Sequence, residues 1–234
     1  YDMAGPLRQA TLVGFEGGGI YGSAYGYNGQ THEGSDSEID HYGATLGFAK
    51  ESDDMSIDVN VNYLSDFGDV SGFLINKTNA GSGWTGYKYV GGISGYVHLQ
   101  AGPITVVGEY ISALDKFEPA FLPFQQTAKA SIVGAEPSAW YAGLGYTLKM
   151  GGKETTLAVG YQATDEGRDL GLQPLNGRHI QPKERYLVCL SVVPADNTTI
   201  SLEYRRDTDY DKDEDVNGTG ESTDAVAVQM SVSF

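Results

Sequence analysis

One cysteine and four methionines in 234 residues already exclude several familiar kinds of protein. Cys189 alone cannot form an intramolecular disulfide, and no Cys/His pair has the spacing of a zinc site. Basic residues are scarce too: 15 Lys and Arg stand against 31 Asp and Glu, a net charge of −16. So large an acid excess repels a phosphate backbone and removes nucleic acid from the partners. No apolar run reaches about 18 residues, so no transmembrane helix is encoded, although a transmembrane strand needs no such run. The histidines, His32, His41, His98 and His179, are scattered. None sits with a Ser and an Asp or Asn in a register that would make a hydrolytic triad, so the chain reads as non-enzymatic, with no cofactor implied. An initiator Met and a signal peptide are also missing, and Tyr1 reads as the start of a fragment or of a mature piece.

Glycine and tyrosine are plentiful, at 32 and 16 residues, a profile that suits strands and tight turns better than packed helices. The dominant pattern is alternation with period two. Met55, Ile57, Val59, Val61 and Tyr63 alternate with Ser56, Asp58, Asn60 and Asn62, and Val226, Val228, Met230, Val232 and Phe234 close the chain in the same way. Eleven such segments are expected, at 7–16, 20–28, 40–49, 54–64, 88–100, 104–112, 138–148, 154–163, 183–193, 198–206 and 223–234. Short connections (Gly17 to Gly19, Lys50 to Asp53, Ala101 to Pro103, Lys149 to Lys153, Pro194 to Asn197) take turns with long ones at 29–39, 65–87, 113–137, 164–182 and 207–222.

A soluble β-sandwich gives no reason for long and short loops to alternate strictly. An outer-membrane barrel does, because its periplasmic turns are tight and its external loops long. The expected fold is therefore all-β, a transmembrane antiparallel up-and-down β-barrel forming a single domain over 1–234. An aromatic girdle is expected at the outer strand ends from Tyr27, Tyr42, Tyr63, Tyr89, Tyr110, Trp140, Tyr161, Tyr186 and Tyr204. Phe15, Phe48, Tyr146 and the terminal Phe234 fall at the other end. Bacterial single-chain barrels have even strand numbers, so eleven strands imply an odd number before Tyr1.

Several stretches resemble the LbtU family of siderophore porins: Leu7 to Gly29, Ala101 to Phe117, Glu136 to Trp140, Gly152 to Glu166, Asp196 to Tyr210 and Gly218 to Phe234. The resemblance implies about five upstream strands and about sixteen in the complete protein, a size that leaves an aqueous channel. It also implies passage of a ferric siderophore. The segment Gly171 to Lys183, with Arg178 and His179, looks longer than the family's usual turn there.

Alternation also selects the inward residues. Those expected to line the lumen and set its selectivity are Arg8, Glu16, Asp58, Asn60, Asn62, Glu109, Arg185, Glu203 and Arg205, with Thr45, His98, Gln100, Tyr141, Gln162, Cys189 and Gln229 on the same face. Opposed charges across a narrow lumen would create a transverse field that orders water and selects solutes. Equally, they would serve as a ladder of wall salt bridges with no selective role. The acidic run Asp207, Asp209, Asp211, Asp213, Glu214 and Asp215 lacks the glycine and terminal Glu of a calcium loop and reads as a solvated loop. The partners implied are outer-membrane lipid, lipopolysaccharide and small solutes; homo-oligomerisation is compatible with a barrel of this size. The function read from the residues is a diffusion channel, and the alternative a structural or docking barrel with a closed lumen.

Overall fold

The computed structural model describes residues 10–29, 39–69, 88–118, 134–167, 181–214 and 218–233. Eleven strands fill them: β1 (Ala10–Gly17), β2 (Ile20–Tyr27), β3 (His41–Glu51), β4 (Met55–Leu64), β5 (Gly92–Ala101), β6 (Ile104–Ala113), β7 (Ser138–Met150), β8 (Lys153–Asp165), β9 (Glu184–Ala195), β10 (Thr198–Thr208) and β11 (Ser222–Val232). They form one sheet in chain order, β1 to β11, and every pairing is antiparallel. This is the all-β, up-and-down arrangement of a transmembrane β-barrel. β1 and β11 are the two edges of the sheet. No helix among the described residues is long and apolar enough to cross a membrane, and a barrel crosses with strands instead.

The short turns follow from their residues. Gly18, Gly19, Gly151 and Gly152 all have positive φ, the geometry of a two-residue hairpin whose twist matches its strands. Alternation then sorts the side chains. Leu46, Val61, Leu144, Leu157, Val159, Val188, Leu190, Leu202 and Val228 stand on one face with large exposure, 72% for Val228 and 47% for Leu202. A water-soluble sheet would bury so continuous an apolar face, whereas a lipid-facing one leaves it bare of protein.

Seven of the nine expected girdle residues (Tyr42, Tyr63, Tyr110, Trp140, Tyr161, Tyr186 and Tyr204) lie on this outward face near the long-loop end. Trp140 and Tyr161 approach to 5.0 Å between ring centroids, and Tyr161 and Tyr186 to 4.8 Å. Tyr27 and Tyr89 depart from the expectation. Both rings pack on His41, at 5.3 and 4.7 Å, on the inner side of the sheet. Tyr27 has the inward parity of Tyr21 and Tyr25, and Tyr89 precedes β5, which starts at Gly92 rather than at 88. The chain leaves the sheet there because the Val90 carbonyl accepts from the Phe67 N–H at 2.7 Å. Phe234 lies outside the described residues.

Fully buried side chains gather at the long-loop end. Phe67, Val90, Ala113, Phe117 and Ala135 are buried there, with His41, Asp66 and Asp69. The 3-10 turn Phe67–Asp69 and the Phe117–Ala135 bridge bring these loop segments together.

Candidate functional site

The strand registers convert residues far apart in sequence into one row across the inner face. Reading partner to partner, Glu16 faces Tyr21, then follow Gly47, Asn60, Tyr96, Glu109, Tyr141, Gln162, Arg185 and Asp207. The row ties every strand from β1 to β10 to one polar belt. Six of its ten members are among those alternation places on the inward face: Glu16, Asn60, Glu109, Tyr141, Gln162 and Arg185.

On β2 to β5 the belt is hydrogen-bonded within itself. The Tyr21 hydroxyl donates to Asp58 Oδ1 at 2.7 Å, and the Tyr96 hydroxyl donates to Oδ2 of the same carboxylate. Asn60 Nδ2 donates to the Tyr21 hydroxyl at 3.2 Å, Asn62 Nδ2 to Asn60 Oδ1 at 2.9 Å, and Thr45 Oγ1 to Asn62 Oδ1 at 2.8 Å. Tyr21 on β2 reaches Asp58 on β4 only by crossing β3 over Gly47. A Cβ at Gly47 would stand 2.2 Å from the Tyr21 ring carbon Cζ. Asp58, Asn60 and Asn62 are thus members of a wall ladder.

On β9 and β10 the belt is ionic. Arg185 grips Asp207 with two bonds, Nε to Oδ1 at 2.6 Å and Nη2 to Oδ2 at 2.9 Å, the forked geometry that guanidinium and carboxylate favour. Arg205 Nε lies 3.6 Å from Asp207 Oδ2, so two cations share one anion. Glu203 pairs in register with Cys189, one inward step along β10 from Arg205, and Glu109 stands exposed on β6. Arg8 lies outside the described residues, as do Arg178 and His179.

The acidic run begins at Asp207, yet β10 runs on to Thr208 and carries this residue into the wall. Its parity with Glu203 and Arg205 was the available signal. Beyond it, Asp209 accepts from the Thr219 N–H at 3.0 Å and from its hydroxyl at 2.8 Å, and Glu214 holds Lys183 at 2.7 Å. The ion pair holds the Glu214 carboxyl below, and the Lys183 ammonium above, its ordinary range. Among the described residues no group of three or more acidic, His or Cys side chains has the arrangement to hold a metal ion.

At the long-loop end His41 is enclosed between two carboxylates, with Nδ1 at 2.6 Å from Asp40 Oδ1 and Nε2 at 3.4 Å from Asp66 Oδ2. The Tyr89 hydroxyl donates to Asp40 Oδ2 at 2.8 Å. Burial pushes the Asp40 carboxyl up, but the bonds from His41 and Tyr89 outweigh it and hold the group below its usual range. The sequence marked His41 only as one of four scattered histidines.

No protein-family model matches the chain. It is 27% identical over 232 residues to a UPF0422 protein of Coxiella burnetii, covering 95% of this chain and 45% of that protein. It is also 27% identical over 242 residues to a UPF0422 protein of Legionella pneumophila, covering 92% of this chain and 42% of that one. The chain therefore spans less than half the length of the curated relatives it matches. In fold it is similar to the outer membrane channel DcaP of Acinetobacter baumannii, with a TM-score of 0.50 and 12% identity, over 96% of this chain and 62% of that one. The likeness is to UPF0422 proteins in sequence and to an outer-membrane channel in fold.

Proposed function

We propose that this chain forms part of the wall of an outer-membrane channel through which small polar solutes diffuse. The observation that carries the reading is the separation of the two faces. One is continuously apolar, exposed and edged by aromatics; the other carries Glu16, Tyr21, Asn60, Tyr96, Glu109, Tyr141, Gln162, Arg185 and Asp207 in a single register row. Lipid accounts for the first face and water for the second. Short turns then lie in the periplasm, and the long loops, with their acidic residues, face lipopolysaccharide.

Glu16, Glu109, Glu203, Arg185 and Arg205 are the residues assigned to selectivity, with Arg8 on the same face by alternation. Asp58, Asn60 and Asn62 hold the wall and present their remaining polar edges to the lumen. Strands outside this chain complete the barrel, about five by the resemblance to the LbtU porins, giving about sixteen and an aqueous bore. That resemblance makes a ferric siderophore the first large solute to try. A liposome-swelling assay on the full-length protein tests the reading: swelling in small sugars and amino acids supports it, and intact liposomes with correctly folded barrel in them refute it.

The buried cluster of Phe67, Val90, Phe117 and Ala135 at the long-loop end favours a second reading, a structural or docking barrel whose outer mouth is closed. The same assay separates the two, since a closed barrel gives no swelling.

A further inference from the structure

Part of the inner belt is engaged with itself through Tyr21, Asn60, Tyr96, Arg185 and Asp207, and Glu109 is one of the groups that stand outside those bonds. It is exposed, at the centre of the row, with no hydrogen bond or ion pair among the described residues. Its register partners on either side are both tyrosines, Tyr96 on β5 and Tyr141 on β7. The two rings lean away from it in opposite directions. Tyr96 sends its hydroxyl to Asp58 on β4. Tyr141 lies over the glycines of the wall, its hydroxyl 2.5 Å from where a Cβ of Gly143 would stand and 2.9 Å from that of Gly160. Both tyrosines line a trough of about 480 Å³, together with Glu109, Gln162, Asn60 and Asn62.

We infer that this trough binds organic cations, an alkylammonium or trimethylammonium head held by the Glu109 carboxylate against a flanking tyrosine ring, Tyr141 foremost. The inference takes from the proposed function only that this face is wet. Tyr96 and Tyr141 stand on the strands either side of β6, about 5 Å from it, so a head over Glu109 rests against one ring at a time, with Tyr96 fixed to Asp58 and Tyr141 the freer of the two. Aromatic faces attract cations through their quadrupole, and a fixed carboxylate supplies the net charge. A hard metal cation is not served here, because it demands six or more oxygens and Glu109 offers the sole free carboxylate of the trough. A sugar is served poorly as well, since the amides of Asn60 and Asn62 are held in the wall ladder.

The test is calorimetric titration of the folded full-length protein in detergent at fixed ionic strength, with choline as probe and its neutral isostere 3,3-dimethylbutan-1-ol as control. Choline is expected to bind saturably and the alcohol at least about tenfold more weakly. Glu109→Gln should weaken choline by about tenfold or more, and Tyr141→Leu by about three- to tenfold. Tyr141→Phe, which keeps the ring face and folds with less risk, should stay within about twofold. Equal binding of the two probes, unchanged choline binding in Glu109→Gln, potassium displacing choline at equal concentration, or no saturable choline binding would each overturn the site. Bilayer currents from the same preparation separate this failure from failure of the channel. Currents without choline binding sink the site and leave the channel standing; choline binding without currents does the reverse.

Discussion

At the scale of single residues, the wall is organised by which groups share partners. Asp207 neutralises Arg185 through a bidentate bond and Arg205 at longer range, so the trio carries one net positive charge. Asp207→Asn leaves both guanidinium groups uncompensated. The reversal potential under a salt gradient should then move toward anions, and the folded barrel should lose about 1–3 kcal/mol against urea. Gly47 has a role of another kind, since any side chain there strikes the Tyr21 ring on its way to Asp58. Gly47→Ala should cost about 1–3 kcal/mol by displacing the ring and breaking its hydrogen bond. In a Tyr21→Ala background the same substitution should cost nothing measurable, and a double-mutant cycle in urea reads the difference.

At the scale of elements, each strand carries one apolar and one polar face, and charge should be tolerated accordingly. On β8, Val159→Arg puts a cation on the lipid face near mid-strand and should destabilise the folded barrel by about 2–4 kcal/mol. Gln162→Arg, three residues along on the inner face, should leave stability within about 0.5 kcal/mol and change ion selectivity instead. The loop between β10 and β11 is tied to the start of β9 by the Lys183–Glu214 pair, which sits outside the spanning strands. Because Glu214 titrates below its unfolded value, the tie is present above about pH 4.3 and is lost as pH falls through the lower folded value. Protease cleavage of this loop should accelerate over that descending range in the native protein, and Lys183→Met should show the fast rate at neutral pH.

At the scale of the whole molecule, the sheet was legible because its signal is one rule applied eleven times. Met55 to Tyr63 and Val226 to Val232 alternate without interruption, and the register follows once turns such as Gly151-Gly152 are placed. Which residues share a face of the sheet follows from the same alternation. Alternation is silent where the backbone leaves the sheet. Tyr89 has girdle spacing yet turns inward, because Val90 bonds to Phe67 and the ring finds His41, contacts between loops that no periodicity encodes. Partnerships were equally hidden. That Tyr21 reaches across Gly47 to Asp58 depends on a tyrosine, a glycine and an aspartate on three strands falling in adjacent rows, which only the assembled registers bring about.

Whether the polar row faces a conducting aqueous path can be read from a single current. In a full-length protein carrying Cys189→Ser, Gln162 is replaced by cysteine, and single-channel conductance is recorded before and after a bulky charged methanethiosulfonate is added. A stepwise and irreversible fall in unit conductance is expected, one that Val159→Cys does not show. Unchanged conductance at Gln162→Cys with labelling verified by mass, or a fall at Val159→Cys instead, would mean that the polar row does not line the conducting path.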